Sequence, residues 1–310
     1  MSEPSAEVIA LAESRLAARA AKDWATSDSL RDQIASLGWI VADAAGSYSL
    51  TPKPPFDVLP NLAAIADNSH TPIETGVVID VIVDGWPDDV RAFFDALLTH
   101  MPADARVVAL DAGNVDGAGI VLQEYVASDA RVEAFHVTQD LQSIGWSAAR
   151  NALLRYKACD VHVIIDLSTI LTGDAITPLA DAVRAGAAVA GWRGVNVNTD
   201  DNWRSFNDAT DVGEVDAVLS YLMAVDFAVA CAHPIDAKAR FYRNADLEWS
   251  LDLRAAGGKV VMPTLDLPCR QARHHGYHDT EPDYRDRESK RTYDRLLQKY
   301  RGKNSLLAPR

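Results

Sequence analysis

The chain has 310 residues, 48% of them hydrophobic, and a net charge of −14. That length suits one large domain with a smaller companion. The acid excess argues against broad nucleic-acid binding, DNA included, and no apolar run approaches the roughly 18 residues of a membrane span. The three cysteines are scattered in no zinc-like spacing and read as reduced thiols. The N-terminal stretch has no signal-peptide layout, so the sequence reads as cytoplasmic. Charge is uneven: net −2 over residues 1–53, −17 over the middle and +5 over 270–310.

In chain order, residues 6–21 predict an Ala-rich helix with Val8, Leu11, Ala12 and Leu16 on its apolar face. A second helix is expected over 27–37, stopped by Gly38. "WIVADAAGSYSL" then reads as a hairpin turning at Ala45-Gly46. These elements form a small module, 1–53, and the proline-rich residues 54–75 read as a linker. From residue 76 the pattern changes. "VVIDVIV" (77–83) is a continuous apolar run of the kind that forms a buried parallel strand. A helix follows from Pro87, with Val90, Phe93, Phe94, Leu97 and Leu98 facing inward. Further strands are expected at 106–111, 132–137, 161–166 and 187–192, and further helices at 146–157 and 174–185. Near the end, a helix leading to Gly257 precedes the strand "KVVM", and a basic helix covers 284–301. Alternation of strand and helix makes a doubly wound, mostly parallel α/β sheet the expected architecture over 76–283, with 284–310 as a basic helix and tail.

In such sheets ligands lie beyond the carboxyl ends of the strands. The second strand ends in "LDAGNVDGAG", where Asp111 would accept hydrogen bonds from a base or ribose, or would cap a helix above turn glycines. The strand "VHVIID" ends at Asp166, a ligand for a cation or ribose, or a cap shared with Thr169. Arg150 and Asn151 lie on the helix between; Arg150 would hold a diphosphate, brace the site, or simply be solvated. In "NADLEWSLDLRAAGG", Asp246 and Glu248 sit where a helix begins, with Arg254 before its end. Acids there offset the helix dipole, and one of them would equally serve as a general base at a pocket lip. His274, His275 and His278 cluster with Asp279, giving one metal ligand or a solvated loop.

The order of "LDAGNVDG", "GWSAARNALL", "VIIDLS", "NADLEWSLDLRAAG" and a late histidine resembles the family 2 glycosyltransferases, GT-A fold enzymes that use nucleotide-diphosphate sugars. The resemblance spans 76 to about 300 and implies roles position by position. Asp111 would touch the base and Asp116 would shape its loop, while Arg150, Asn151 and Arg254 would lie at the substrate. Asp166 would match the first acid of a DxD motif and hold ribose or metal, with His275 completing the metal or diphosphate site. Asp246, eleven residues before Gly257, would deprotonate the acceptor hydroxyl in an inverting reaction, and Glu248 would support it or touch the acceptor. Ser168 stands where the second DxD acid is usual and Ala245 where an acid precedes Asp246. Any grip on Mg²⁺ or Mn²⁺ would therefore be weakened. Residues 13–50 separately resemble the C-terminal tail of cysteinyl-tRNA synthetases, through Arg19, Lys22, Asp23, Trp24, Asp28, Arg31, Asp32, Gly38 and Asp43. The module's negative charge disfavours tRNA and points to a docking module.

The expectation is thus a glycosyltransferase acting on a nucleotide-diphosphate sugar and an unidentified acceptor. The alternatives are a nucleotide-sugar-binding or scaffold protein that has lost catalysis, and an RNA-associated factor working through the N-terminal module. The basic helix over 284–301 leaves open packing on the domain, an anionic acceptor or a homo-oligomer.

Overall fold

The structure, a computed structural model, describes residues 3–44, 46–73 and 75–309. It divides into two compact units, Met1–Asp57 and Val58–Arg310. In the small unit, α1 (Ala6–Ala20) is capped by Ser5, whose side chain accepts from the Val8 N–H, and α2 (Trp24–Ser36) is capped by Asp23 in the same way through Thr26. Strands β1 (Trp39–Ala44) and β2 (Ser47–Pro52) pair antiparallel. Of the expected turn, Ala45 lies outside the described residues, and Gly46 takes a φ of +72°. Val8, Ala12, Ile34, Trp39 and Val41 form this unit's core. Beside it the buried Arg15 donates to both carboxylate oxygens of Asp43, at 2.6 and 3.1 Å.

The large unit opens with β3 (Val58–Leu59), which pairs in parallel with a later strand. The proline-rich stretch is therefore more than connection. Asn68 also ties it down, its side-chain amide donating to the Tyr156 carbonyl at 2.6 Å. Next come β4 (Thr75–Val83), α3 (Pro87–His100), β5 (Arg106–Ala112), α4 (Ala118–Ser128) and β6 (Val132–Val137). Then follow α5 (Leu141–Ile144), α6 (Trp146–Tyr156), β7 (Cys159–Ile165), β8 (Thr169–Leu171), α7 (Thr177–Arg184) and β9 (Val189–Gly191). Short strands β10 (Gly194–Val197), β11 (Phe206–Asp208), β12 (Gly213–Glu214) and β13 (Ala217–Val218) lead to β14 (Leu222–Asp226) and α8 (Phe227–Ala232). The chain closes with α9 (Ala245–Ala255), β15 (Val260–Met262), β16 (Cys269–Gln271), α10 (His275–His278) and α11 (Pro282–Tyr300).

The main sheet runs β12-β15-β9-β14-β7-β4-β5-β6-β3. Its centre, β7-β4-β5-β6, is parallel, and β14 runs antiparallel to both β7 and β9. Alternation along β4 explains the three layers. Val77, Ile79, Val81 and Val83 face one side and pack with Phe93 and Leu97 of α3, Leu122 of α4 and Leu179 of α7. Val78 and Ile82 face the other and pack with Leu153 of α6, Phe227 of α8 and Trp249 of α9. Each such large side chain stabilises the fold by about 1.5–3 kcal/mol when fully buried. The basic C-terminal helix packs on the domain: Leu296 and Tyr300 of α11 share a core with Leu247 and Leu251 of α9.

Candidate functional site

The carboxyl ends of β4, β5 and β7 deliver Asp84, Asp111 and Asp166 to one edge of the sheet. Two adjoining cavities open there. The first, about 290 Å³, is walled by Asp84, Trp86, Arg240, Arg273, His274 and His275. The second, about 300 Å³, is walled by Ser220, Tyr221, Arg243, Asp246 and Tyr277. Trp146, Arg150, Asp166 and Tyr242 wall both, so they act as lobes of one site divided by these side chains.

Asp166 stands at the divide. Its Oδ1 accepts from the Ser168 N–H at 2.8 Å and from the Ser168 hydroxyl, and its Oδ2 meets His274 Nε2 at 2.9 Å. The other imidazole nitrogen, Nδ1, lies 2.7 Å from the Tyr242 hydroxyl. Burial alone would depress His274, but the hydrogen bond and charge of Asp166, with Asp84 behind, outweigh it and raise its pKa. Burial likewise pushes Asp166 up, yet the His274 bond and charge and the Ser168 bonds hold it below the ordinary carboxylate range. Each of the two groups thus favours the charged form of the other.

Arg150 reaches this point from α6. It donates to the carbonyls of Asp80 and Ile165, at 2.8 and 3.3 Å, and so ties the ends of β4 and β7 beneath the divide. Burial lowers its pKa to about 10 against the pull of Asp80, Asp166 and Asp84, so it stays cationic at neutral pH.

Asp246 sits in the first turn of α9, 6% exposed. Its Oδ2 accepts from the Ser220 N–H at 3.0 Å and hydroxyl at 3.3 Å, and its Oδ1 from the Leu247 N–H at 2.9 Å. Burial raises its pKa, with the Ser220 and Leu247 bonds opposing. A carboxylate so placed is a stronger base than a solvated one.

Of the residues singled out in the sequence, Arg150, Asp166, Ser168, Asp246, His274, His275 and Asp279 wall the cavities; Asp111, Asp116, Asn151, Glu248 and Arg254 lie elsewhere. Asp111 is fully buried, with Oδ2 2.8 Å from His136 Nδ1 and Oδ1 accepting from the Asn114 N–H. Gly119 presses so close that a Cβ there would stand 2.1 Å from the Asp111 carboxylate. Asp116 is exposed on the following turn. Asn151 exchanges hydrogen bonds with the Ile235 backbone, at 2.8 and 3.0 Å. Arg254 donates to the carbonyls of Leu306 and Val215. Glu248, 1% exposed, is held by Arg295 and by Lys299, the latter at 2.8 Å.

Asp84 lies outside that reading, and His274 enters it only as one of the histidine cluster; both belong to the site. Asp84 follows β4 as Asp166 follows β7, and that shared position in "VIVDGW" was the available signal. Burial and the neighbouring Asp166 charge push its pKa up to about 7, against His274 and Arg150. His274, rather than His275, faces Asp166. His275 points the other way, with Nδ1 2.5 Å from Asp279 and its ring stacked on Trp86 at 5.8 Å.

The donor set does not fit the divalent cation expected at Asp166 and His275. Asp166 turns one oxygen to Ser168 and the other to His274, and His275 is turned to Asp279. Among the described residues, no three His, Cys, Asp or Glu side chains are grouped to hold a metal.

No family model matches the sequence. A short N-terminal segment is similar to cysteine–tRNA ligases. It is 56% identical over 50 residues to that of Opitutus terrae (16% of this chain, 11% of the ligase) and 60% identical over 42 residues to that of Pseudomonas syringae pv. tomato (14% and 9%). The chain thus spans about a tenth of the length of these relatives. Among solved structures, it superposes on GalNAc-T7 with UDP, GalNAc and Mn²⁺ at a TM-score of 0.58 and 14% identity, covering 72% of this chain and 48% of that one. It superposes on the mannosyltransferase PcManGT from Pyrobaculum calidifontis in complex with GDP-Man and Mn²⁺ at 0.53 and 15%, covering 94% and 75%. The fold is that of the GT-A glycosyltransferases.

Proposed function

We propose that the large unit is a glycosyltransferase that moves a sugar from a nucleotide-diphosphate donor to an acceptor hydroxyl, with inversion and with Asp246 as general base. The observation that carries this reading is the divided cavity: a buried, hydrogen-bonded carboxylate in one lobe, and a hydrogen-bonded His274–Asp166 pair with the guanidiniums of Arg240 and Arg273 walling the other. The solved structures of this fold were determined with UDP and GalNAc or with GDP-Man, which supports a donor of the same chemistry here.

The donor occupies the first lobe with its diphosphate near Arg240 and Arg273, and its anomeric carbon at the divide. An unassisted hydroxyl is too weak an acid to attack. Asp246 takes its proton as the oxygen bonds to the anomeric carbon from the opposite face. The carbon–oxygen bond to the diphosphate breaks, and the leaving group carries off the electron pair. The fixed charge of Arg150 favours the negative charge that develops there, and His274, whose charged form Asp166 favours, adds to it.

Calorimetry with UDP- and GDP-sugars tests the donor site. Turnover tests the base: Asp246→Asn keeps the shape but cannot take a proton, so sugar transfer should fall by about 10²–10⁴ with donor affinity little changed. Tight donor binding without turnover in the unaltered protein would instead favour a sensor that binds nucleotide sugars, the reading that Ser168 in place of an acid supports.

A further inference from the structure

The lobe that holds Asp246 is the acceptor side in this reading, and its charge is unusual for so acidic a chain. Most guanidiniums around the site are already engaged. Arg150 is spent on backbone carbonyls, Arg240 on the carbonyls of Gln142 and Ser143, and Arg273 on Asp279 at 2.7 Å. Arg243 and Arg193 differ: among the described residues neither is paired with an acid. Arg243 walls the Asp246 lobe and not the other. Its guanidinium lies 5.0 Å from the Tyr277 ring centroid and donates to the Tyr277 hydroxyl. Arg193 is exposed and lines neither lobe; it lies 4.5 Å from the Trp192 centroid and 5.8 Å from that of Tyr221, which walls the Asp246 lobe. Contact with aromatic rings steadies each cation, and apart from the donor that Arg243 gives to Tyr277 it leaves their N–H groups for a planar or tetrahedral anion. At about 300 Å³ the lobe is at the small end of ligand sites.

We propose that the acceptor is a small hydroxylated anion, a carboxylate or phosphate gripped by Arg243 with Arg193 as the outer contact, its hydroxyl turned to Asp246. This rests on the transferase reading of the same cavity. The step balances as before: the acceptor oxygen bonds to the anomeric carbon, its proton passes to Asp246, and the nucleoside diphosphate leaves with the electron pair. The anion sets which hydroxyl reaches the base.

Calorimetry on the full chain, with UDP or GDP present, would compare glycerol, glycerate and glycerol 3-phosphate, which share hydroxyls and differ in charge. The anions should bind at least about tenfold tighter than glycerol, and Arg243→Gln should weaken the anions by about tenfold while leaving glycerol as it was. Arg193→Gln should do the same to a smaller degree, and Arg243→Lys should restore part of the loss. Tighter binding of glycerate or of glycerol 3-phosphate identifies the anion as carboxylate or phosphate. Equal binding of glycerol and both anions, or anion binding indifferent to Arg243→Gln, would overturn the proposal. If neither UDP nor GDP binds, the transferase reading fails and takes the proposal with it; if one binds and the anions do not, only the proposal fails.

Discussion

At the residue scale the site turns on carboxylates in unequal surroundings. Asp166 is held ionised by His274, whereas its neighbour Asp84, which walls the same lobe, is pushed up to about 7. The ordinary carboxyl titrates near 4. The folded protein therefore favours protonated Asp84 and loses stability as pH rises from that range through 7, because the unfolded chain has already ionised the group. Asp84→Asn removes this penalty, so its melting temperature should match the parent's at pH 4 and exceed it at pH 8. A diphosphate entering the lobe meets the same charge. Donor affinity should weaken by about fivefold between pH 6 and 8, the worth of one nearby repulsion of about 1 kcal/mol, and a flat profile in Asp84→Asn would confirm the source. Strand-end logic made Asp166 visible in the sequence and, applied to "VIVDGW", would equally have reached Asp84. It could not show that His136 would turn Asp111 inward, since that partner comes from the neighbouring strand β6. Nor could spacing tell His274 from His275, because adjacent side chains at a short helix start point in different directions.

At the element scale, α9 shows why a pair of acids in sequence need not be a pair in space. Residues two apart on a helix lie on opposite sides. Asp246 consequently faces the acceptor lobe, and Glu248 faces α11, where Arg295 and Lys299 meet it. That buried cluster fixes α11, whose Tyr284 walls the donor lobe. The Glu248 side chain is 2% exposed and that of Arg295 15%. Arg295→Leu would leave Glu248 with Lys299 alone and should cost about 3 kcal/mol, read as a lower urea midpoint. Glu248→Leu combined with Arg295→Leu should cost less than the sum of the single changes, since no buried charge is then stranded; strict additivity would show that the cluster does not act as a unit. Apolar runs announced β4, β5, β6 and β7, and the periodicity of α3 announced the face it buries through Val90, Phe93, Phe94 and Leu97; the basic composition of α11 left its packing face unannounced. The reversed strand β14 was not legible. A strand's direction depends on the path of its connections, and "YLMAVDF" is equally apolar in either sense.

At the scale of the whole molecule, the two units carry separate cores. Val8, Ala12, Ile34, Trp39 and Val41 serve the small one, and the sheet's two faces serve the large one. Every side chain that walls the divided cavity comes from residues 82–284, inside the large unit. The chemistry should therefore survive without the small unit: residues 58–310 expressed alone should fold cooperatively and bind the donor within about twofold of the full chain. A truncated protein that aggregates or loses donor binding would show that the cores are not independent. The small unit has the harder task alone. A domain of its size gains only about 3–5 kcal/mol from its core, and the buried guanidinium of Arg15 depends on Asp43 near the end of β1. Excised, residues 3–57 should unfold at a lower urea concentration than the large unit, and Asp43→Asn should push the fragment toward the unfolded state, because it strips the charge of the acid that the buried Arg15 meets among the described residues.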